Sequence, residues 1–149
     1  MAAKPETTFY TSVHRHLPPL SELHREKMAN PYRGGTFDHW YDGPAADLWV
    51  EWKFIELPKR PDTMIDLVTP RGKRMESPLS GLQQEWGRAR YKNGRDVWVI
   101  VGCKEGGVVY QAPNGPHGWT TAVTTEEFRK RLVGRKEIAS LIAHHALGS

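Results

Sequence analysis

The chain has 149 residues, 38% of them hydrophobic and 26% charged, which places it among ordinary folded domains and away from fibrous or disordered classes. No apolar run approaches the roughly 18 residues of a membrane span, the N-terminus lacks a signal-peptide core, and the single Cys103 excludes a disulfide framework or a multi-cysteine zinc site. Lys plus Arg number 21 against 17 Asp plus Glu, a net charge of +4 that permits a polyanionic partner without requiring one. The expectation is a reducing, cytoplasmic setting with no membrane partner.

There is no repeat or low-complexity tract, which predicts one domain over residues 1–149, with a core of about 7–111 and a helical part of about 124–146. Thr7 to Leu17 reads as a short helix stopped by Pro18 and Pro19, and Leu23 to Met28 leans towards strand. Asn30 to Gly35 is a loop by composition. Thr36 to Tyr41 and Asp47 to Ile55 read as paired strands, with Asp42-Gly43 as their turn. Glu56 to Ser77 carries Pro58, Pro61 and Pro70 with Lys59, Arg60, Arg71, Lys73 and Arg74 and no period, the pattern of a functional surface excursion. Pro78-Leu79-Ser80 introduces a helix to about Lys92, ended by Asn93-Gly94. Val97 to Gly102 is a buried-type strand, Gly106-Gly107 a turn, and Val108 to Gln111 a further strand. Thr124 or Thr125 caps a helix that Gly134 interrupts, and a last helix reaches His145. The fold class is α/β or α+β, a small mixed sheet flanked by helices.

Asp47-Leu-Trp-Val-Glu51-Trp-Lys53-Phe54 is the most informative stretch. On a strand, Leu48, Val50, Trp52 and Phe54 share an apolar face, and Asp47, Trp49, Glu51 and Lys53 share the other. A solvated outer face with a salt bridge would explain that pattern. The preceding strand places Asp38 where the hairpin folds it back towards Glu51, so that an Asp, a Glu and a Lys converge. Two converging carboxylates make an oxygen site for Mg²⁺, which stabilises charge growing on a phosphate, and an adjacent lysine assists. That is the chemistry of phosphodiester hydrolysis.

Gly35-Thr-Phe-Asp38, followed by Glu51-Trp-Lys53, resembles the PD-(D/E)XK nuclease signature. Leu79-Ser-Gly-Leu-Gln83-Gln-Glu-Trp86 is similar to the LSxxQxxW helix of its VRR-NUC and small phage endonuclease branch, and the strand VWVIVG follows as it does there. The resemblance covers about residues 30 to 111 and implies a restriction-endonuclease-like αβββαβ core, here with extra C-terminal helices. It also implies Asp38 and Glu51 as metal ligands, Lys53 acting on water or phosphate, and Gln83 reaching the site, with Gln84 as the neighbouring alternative. Phe37 stands where the family has proline. Many members add an acid from the first helix; Thr7 to Leu17 has none, leaving His14, His16, Glu22 and Glu26 as candidates, while Asp42 and Asp47 rival Asp38.

These residues lead to the expectation of a Mg²⁺-dependent endodeoxyribonuclease, with Mn²⁺ as a substitute, of phage type and nicking or structure-selective because no appended reading head is present. Lys59, Arg60, Lys73, Arg74 and Arg88 are the candidate contacts to DNA, and a homodimer is left open. Trp40, Trp49 and Trp119 fit either base stacking or the core. His144-His145 lacks metal-pair spacing, and Cys103 reads as an inert thiol. A catalytically degenerate nucleic-acid-binding module on the same fold is the rival reading, and a protein-interaction adaptor using exposed tryptophans is a third. With Glu51 on the polar face of its strand, Glu51→Ala is expected to abolish cleavage while leaving DNA binding and folding largely intact.

Overall fold

The computed structural model describes residues 4–28, 34–68 and 78–148. Helix α1 (Pro5–His14) leads into strands β1 (His24–Lys27), β2 (His39–Asp42) and β3 (Asp47–Phe54). A two-residue strand β4 (Met64–Ile65), helix α2 (Gly81–Lys92) and strands β5 (Val97–Cys103) and β6 (Gly106–Tyr110) follow. Strand β7 (Val123–Thr124) and helices α3 (Thr125–Lys130) and α4 (Arg135–Leu147) complete the chain. The main sheet runs β1-β2-β3-β5-β6, antiparallel except where β3 and β5 lie parallel. The order α1-β1-β2-β3-α2-β5 reproduces the expected αβββαβ core, and α3 and α4 are the expected C-terminal additions.

Both faces of this sheet are covered. On one, Leu48, Val50 and Trp52 of β3 pack with Phe9 and Val13 of α1 and with Ile138 and Ile142 of α4. On the other, Val97, Val99 and Val101 of β5 pack with Phe37, Leu79, Trp119 and Phe128. Every residue of β5 is buried, as its unbroken apolar run requires of a strand with a layer on each side.

Several boundaries differ from expectation. Helix α1 begins at Pro5, two residues before Thr7, because proline is favoured in the first helical turn, where no N–H is needed. The β2–β3 hairpin closes with Asp42 opposite Asp47, so the loop is four residues long rather than an Asp-Gly turn. Gly106 and Gly107 lie inside β6, with Lys104-Glu105 as the turn; a Cβ on Gly106 would stand 2.4 Å from the Val133 carbonyl oxygen, and its φ is +154°. The excursion after β3 is no loose surface loop over its described part. Ile55, Ile65 and Leu67 are buried, and β4 pairs with β7, a ribbon too short to leave a period in the sequence. Lys59 and Arg60 are exposed on this segment, whereas Arg71, Lys73 and Arg74 lie outside the described residues. Among the described residues, no helix is long and apolar enough to cross a membrane.

Candidate active site

The β2–β3 ladder ends at His39 opposite Val50, and Asp38 stands where the two strands part. The Trp52 N–H, beyond the paired register, donates instead to Asp38 Oδ2 at 3.1 Å, and the Asp38 carbonyl accepts from the Met28 N–H at 2.7 Å. The carboxylate is thereby fixed in orientation, with Oδ1 left over. Two neighbours shape the approach. Gly35 has φ +102°, and a Cβ there would lie 2.5 Å from the Leu82 carbonyl oxygen, so only glycine brings this turn so close to α2. Phe37 is fully buried with ring centroids 4.9 Å from Trp86 and 6.1 Å from Trp119. Packing anchors the turn here.

The polar face of β3 is not solvated. Glu51 is 1% exposed and Lys53 3%, and Gln83 of α2 reaches across to Glu51. Lys53 Nζ lies 3.1 Å from Glu51 Oε2, and Gln83 Nε2 donates to the same oxygen at 2.9 Å. Gln83 is held at its other end by a capping box. Its Oε1 accepts from the Ser80 N–H at 3.1 Å, and the Ser80 hydroxyl accepts from the Gln83 N–H at 3.1 Å. Gln84 donates to the Leu79 carbonyl at 3.0 Å and is spent there, so Gln83 is the glutamine that reaches Glu51.

Glu51 Oε1 is buried and has no hydrogen-bond partner. Burial first, then the nearby Asp38 charge, push the Glu51 carboxyl up to about 8, although Lys53 pulls the other way. Charging Glu51 beside Lys53 with one oxygen unmet returns little against the cost of desolvation, which is why the carboxyl is pushed up and holds its proton more readily than a solvated one. Such a feature is better explained by chemistry than by packing. Each carboxylate thus has one oxygen hydrogen-bonded by the protein and one, Asp38 Oδ1 or Glu51 Oε1, without a hydrogen bond, although Lys27 Nζ stands 3.8 Å from Asp38 Oδ1. Among the described residues, no three His, Cys, Asp or Glu side chains form a ready cage. Two carboxylates suit Mg²⁺, which keeps several waters and draws further ligands from phosphate.

Glu6 is the residue that the sequence reading missed. It lies in the first turn of α1, half-buried, and its carboxyl is raised by burial and by the Asp38 charge and lowered by Lys53. Placing the helix start at Thr7 left it out; Pro5 was the available signal. The other candidates lie elsewhere. Glu22 is exposed, Glu26 pairs with His24 at 3.0 Å, and His16 is exposed. Asp47 accepts from Trp40 Nε1 at 3.1 Å, and Asp42 is exposed at the hairpin. Arg88 is exposed on α2, Trp119 is buried, and half-buried Trp49 lies edge-on to Trp86 at 5.1 Å. Cys103 is buried and its thiol is pushed up by burial, and His145 bonds Asp96 at 3.0 Å.

His14 bonds the Tyr41 hydroxyl at 2.7 Å and belongs to the packed face behind β3. Burial lowers it to about 4, and burial together with His14 lowers His39 to about 3. Folded pKa values below the unfolded value of about 6.5 mean that, as pH falls, the unfolded chain takes up protons that the native state refuses. Stability from this source is complete above pH 6.5 and is lost on acidification, with the raised Glu51 and Glu6 acting in the opposite sense. A net loss of stability between pH 7 and pH 5 is expected in urea titrations, with the two histidines outweighing the carboxyls. Equal stability at both pH values would contradict it.

No protein-family model matches the sequence, and no curated protein matches it. Among solved structures, the chain is similar to Hjc, a Holliday junction resolvase of the archaeal hyperthermophile Archaeoglobus fulgidus. The TM-score is 0.48 with 10% sequence identity, over 90% of this chain and 99% of that one.

Proposed function

We propose that this chain is a divalent-metal-dependent endodeoxyribonuclease of the PD-(D/E)XK type, most akin to the VRR-NUC branch, acting in the cytoplasm. The observation that carries the reading is the pair Asp38 and Glu51, each with one oxygen tethered by the chain and one spare, beside a buried lysine. Asp38 Oδ1 and Glu51 Oε1 would hold the cation. When bound, the cation supplies the positive charge that stabilises a phosphate as it gains negative charge in hydrolysis. The chain's own residues do the rest. Trp52 N–H keeps Asp38 aimed, and Gln83 keeps the plane of Glu51 fixed against rotation. Lys53 spends one contact on Glu51, leaving donors of its ammonium to orient the attacking water or hold a phosphate oxygen. In the reaction a water oxygen bonds phosphorus as the P–O bond to the leaving sugar oxygen breaks. The proton that the attacking water loses is matched by the one that the leaving oxygen takes up from solvent. The described residues form the main sheet, the short β4–β7 ribbon and the helices packed around them, with no separate reading module beside them, so the reading favours nicked or branched DNA over a long sequence site.

The test is cleavage of supercoiled plasmid and of a four-way junction, the structure for which the similar archaeal resolvase is named. Mg²⁺ or Mn²⁺ should support cleavage, EDTA should stop it, and Ca²⁺ should support binding without turnover. Undiminished cleavage in excess chelator would overturn the two-carboxylate mechanism, and no cleavage of any nucleic acid would favour a binding module.

A further inference from the structure

Lys27, the last residue of β1, lies 3.8 Å through Nζ from Asp38 Oδ1, the oxygen that the Trp52 N–H leaves unclaimed. That distance exceeds the roughly 2.7–2.9 Å of a charge-assisted hydrogen bond, so the contact is electrostatic and loosely held. The same ammonium stands 5.0 Å from the centre of the Tyr10 ring on α1, within cation–π range. Its charge is also felt by Glu6. Lys27 therefore sits at the meeting point of α1, β1 and Asp38, at the mouth of the candidate site. It differs from Lys53 in the property that matters here: the Lys27 side chain is 51% exposed and the Lys53 side chain 4%. Lys53 is fixed, while Lys27 has a flexible four-carbon stem on an edge strand and room to swing.

A surface pair between neighbouring strands would ordinarily call for no explanation. This one involves a carboxylate whose other oxygen is pinned, so Lys27 lies against the oxygen that Asp38 has left to offer a cation. We infer that Lys27 is a placeholder: it neutralises Asp38 Oδ1 until a divalent cation takes that oxygen, and its released ammonium then holds a phosphate of the substrate. The inference rests on the metal-dependent reading above. The exchange keeps the mouth of the site near constant charge before the metal arrives and adds one positive group for DNA once it has.

The two halves of this role push in opposite directions, which makes them measurable. Lys27→Met keeps the apolar stem and removes the charge. Mn²⁺ titrated into the DNA-free protein should bind this variant roughly fivefold tighter than wild type, the scale of one exposed ion pair lost to competition. Duplex DNA binding with Ca²⁺ should weaken, and the dependence of log affinity on log salt should flatten by about 0.9, one phosphate contact. Lys27→Arg should restore the salt slope. Unchanged or weaker Mn²⁺ binding by Lys27→Met overturns the placeholder role, and an unchanged salt slope overturns the phosphate contact. Absence of Mn²⁺ binding by wild type and variant alike overturns the metal-dependent reading itself, and this inference with it.

Discussion

Replacing Glu51 by glutamine is expected to reduce cleavage by at least about 10³-fold while leaving the fold in place, because the loss is of charge at a metal ligand worth several kcal/mol to the transition state. Glutamine is the right replacement because Glu51 is buried rather than solvated. Glu51→Ala would leave the Lys53 ammonium buried without its partner, a loss of roughly 3–5 kcal/mol that would confuse unfolding with inactivation. The expectation that alanine would be silent for folding is therefore corrected. Glu51→Gln keeps an oxygen for Lys53 and Gln83 and removes the charge needed at Oε1. Cleavage rates at saturating Mg²⁺, paired with thermal melts, check it; a variant that melts near wild type yet cuts at an undiminished rate would remove Glu51 from the chemistry.

One residue further along the strand, the expected effect is of the other kind. Trp52 is fully buried on the opposite face, edge-on to Phe9 at 6.0 Å and ringed by Tyr10, His14 and His39. Trp52→Ala should cost about 3–5 kcal/mol of stability, a large core truncation. Its backbone N–H still serves Asp38, so whatever fraction stays folded should bind metal as wild type does. Urea unfolding measures the first and Mn²⁺ titration the second. A silent Trp52→Ala would mean that β3 is turned over by one residue, with every facing argument reversed.

The alternation along β3 was legible because a strand has a period of two, and it separated Trp52 from Glu51 correctly. Its second consequence was not legible. Whether Glu51 faces water depends on distant elements, among them Gln83 of α2 about thirty residues downstream, and no local pattern encodes that contact. Gln83 was legible only through the resemblance of residues Leu79 to Trp86 to the LSxxQxxW helix; the structure adds the capping box of Ser80 and Gln83 that fixes where this side chain leaves the first turn. Glu6 was lost to a two-residue error in a helix boundary. The β4–β7 ribbon was lost because a pair of two-residue strands is held by tertiary packing and leaves no signal in either segment. Lys27 was invisible for a third reason: it is a charged residue on an edge strand until the parting of β2 and β3 sets Asp38 beside it.

The central claim is that Asp38 and Glu51 share a divalent cation through their free oxygens. Crystals grown in chelator and soaked in Mn²⁺, measured for anomalous scattering, address it directly. The expected result is one peak about 2.0–2.3 Å from both Asp38 Oδ1 and Glu51 Oε1, absent in Glu51→Gln. A map with no peak there, or with Mn²⁺ bound elsewhere while those two oxygens stay bare, would contradict it.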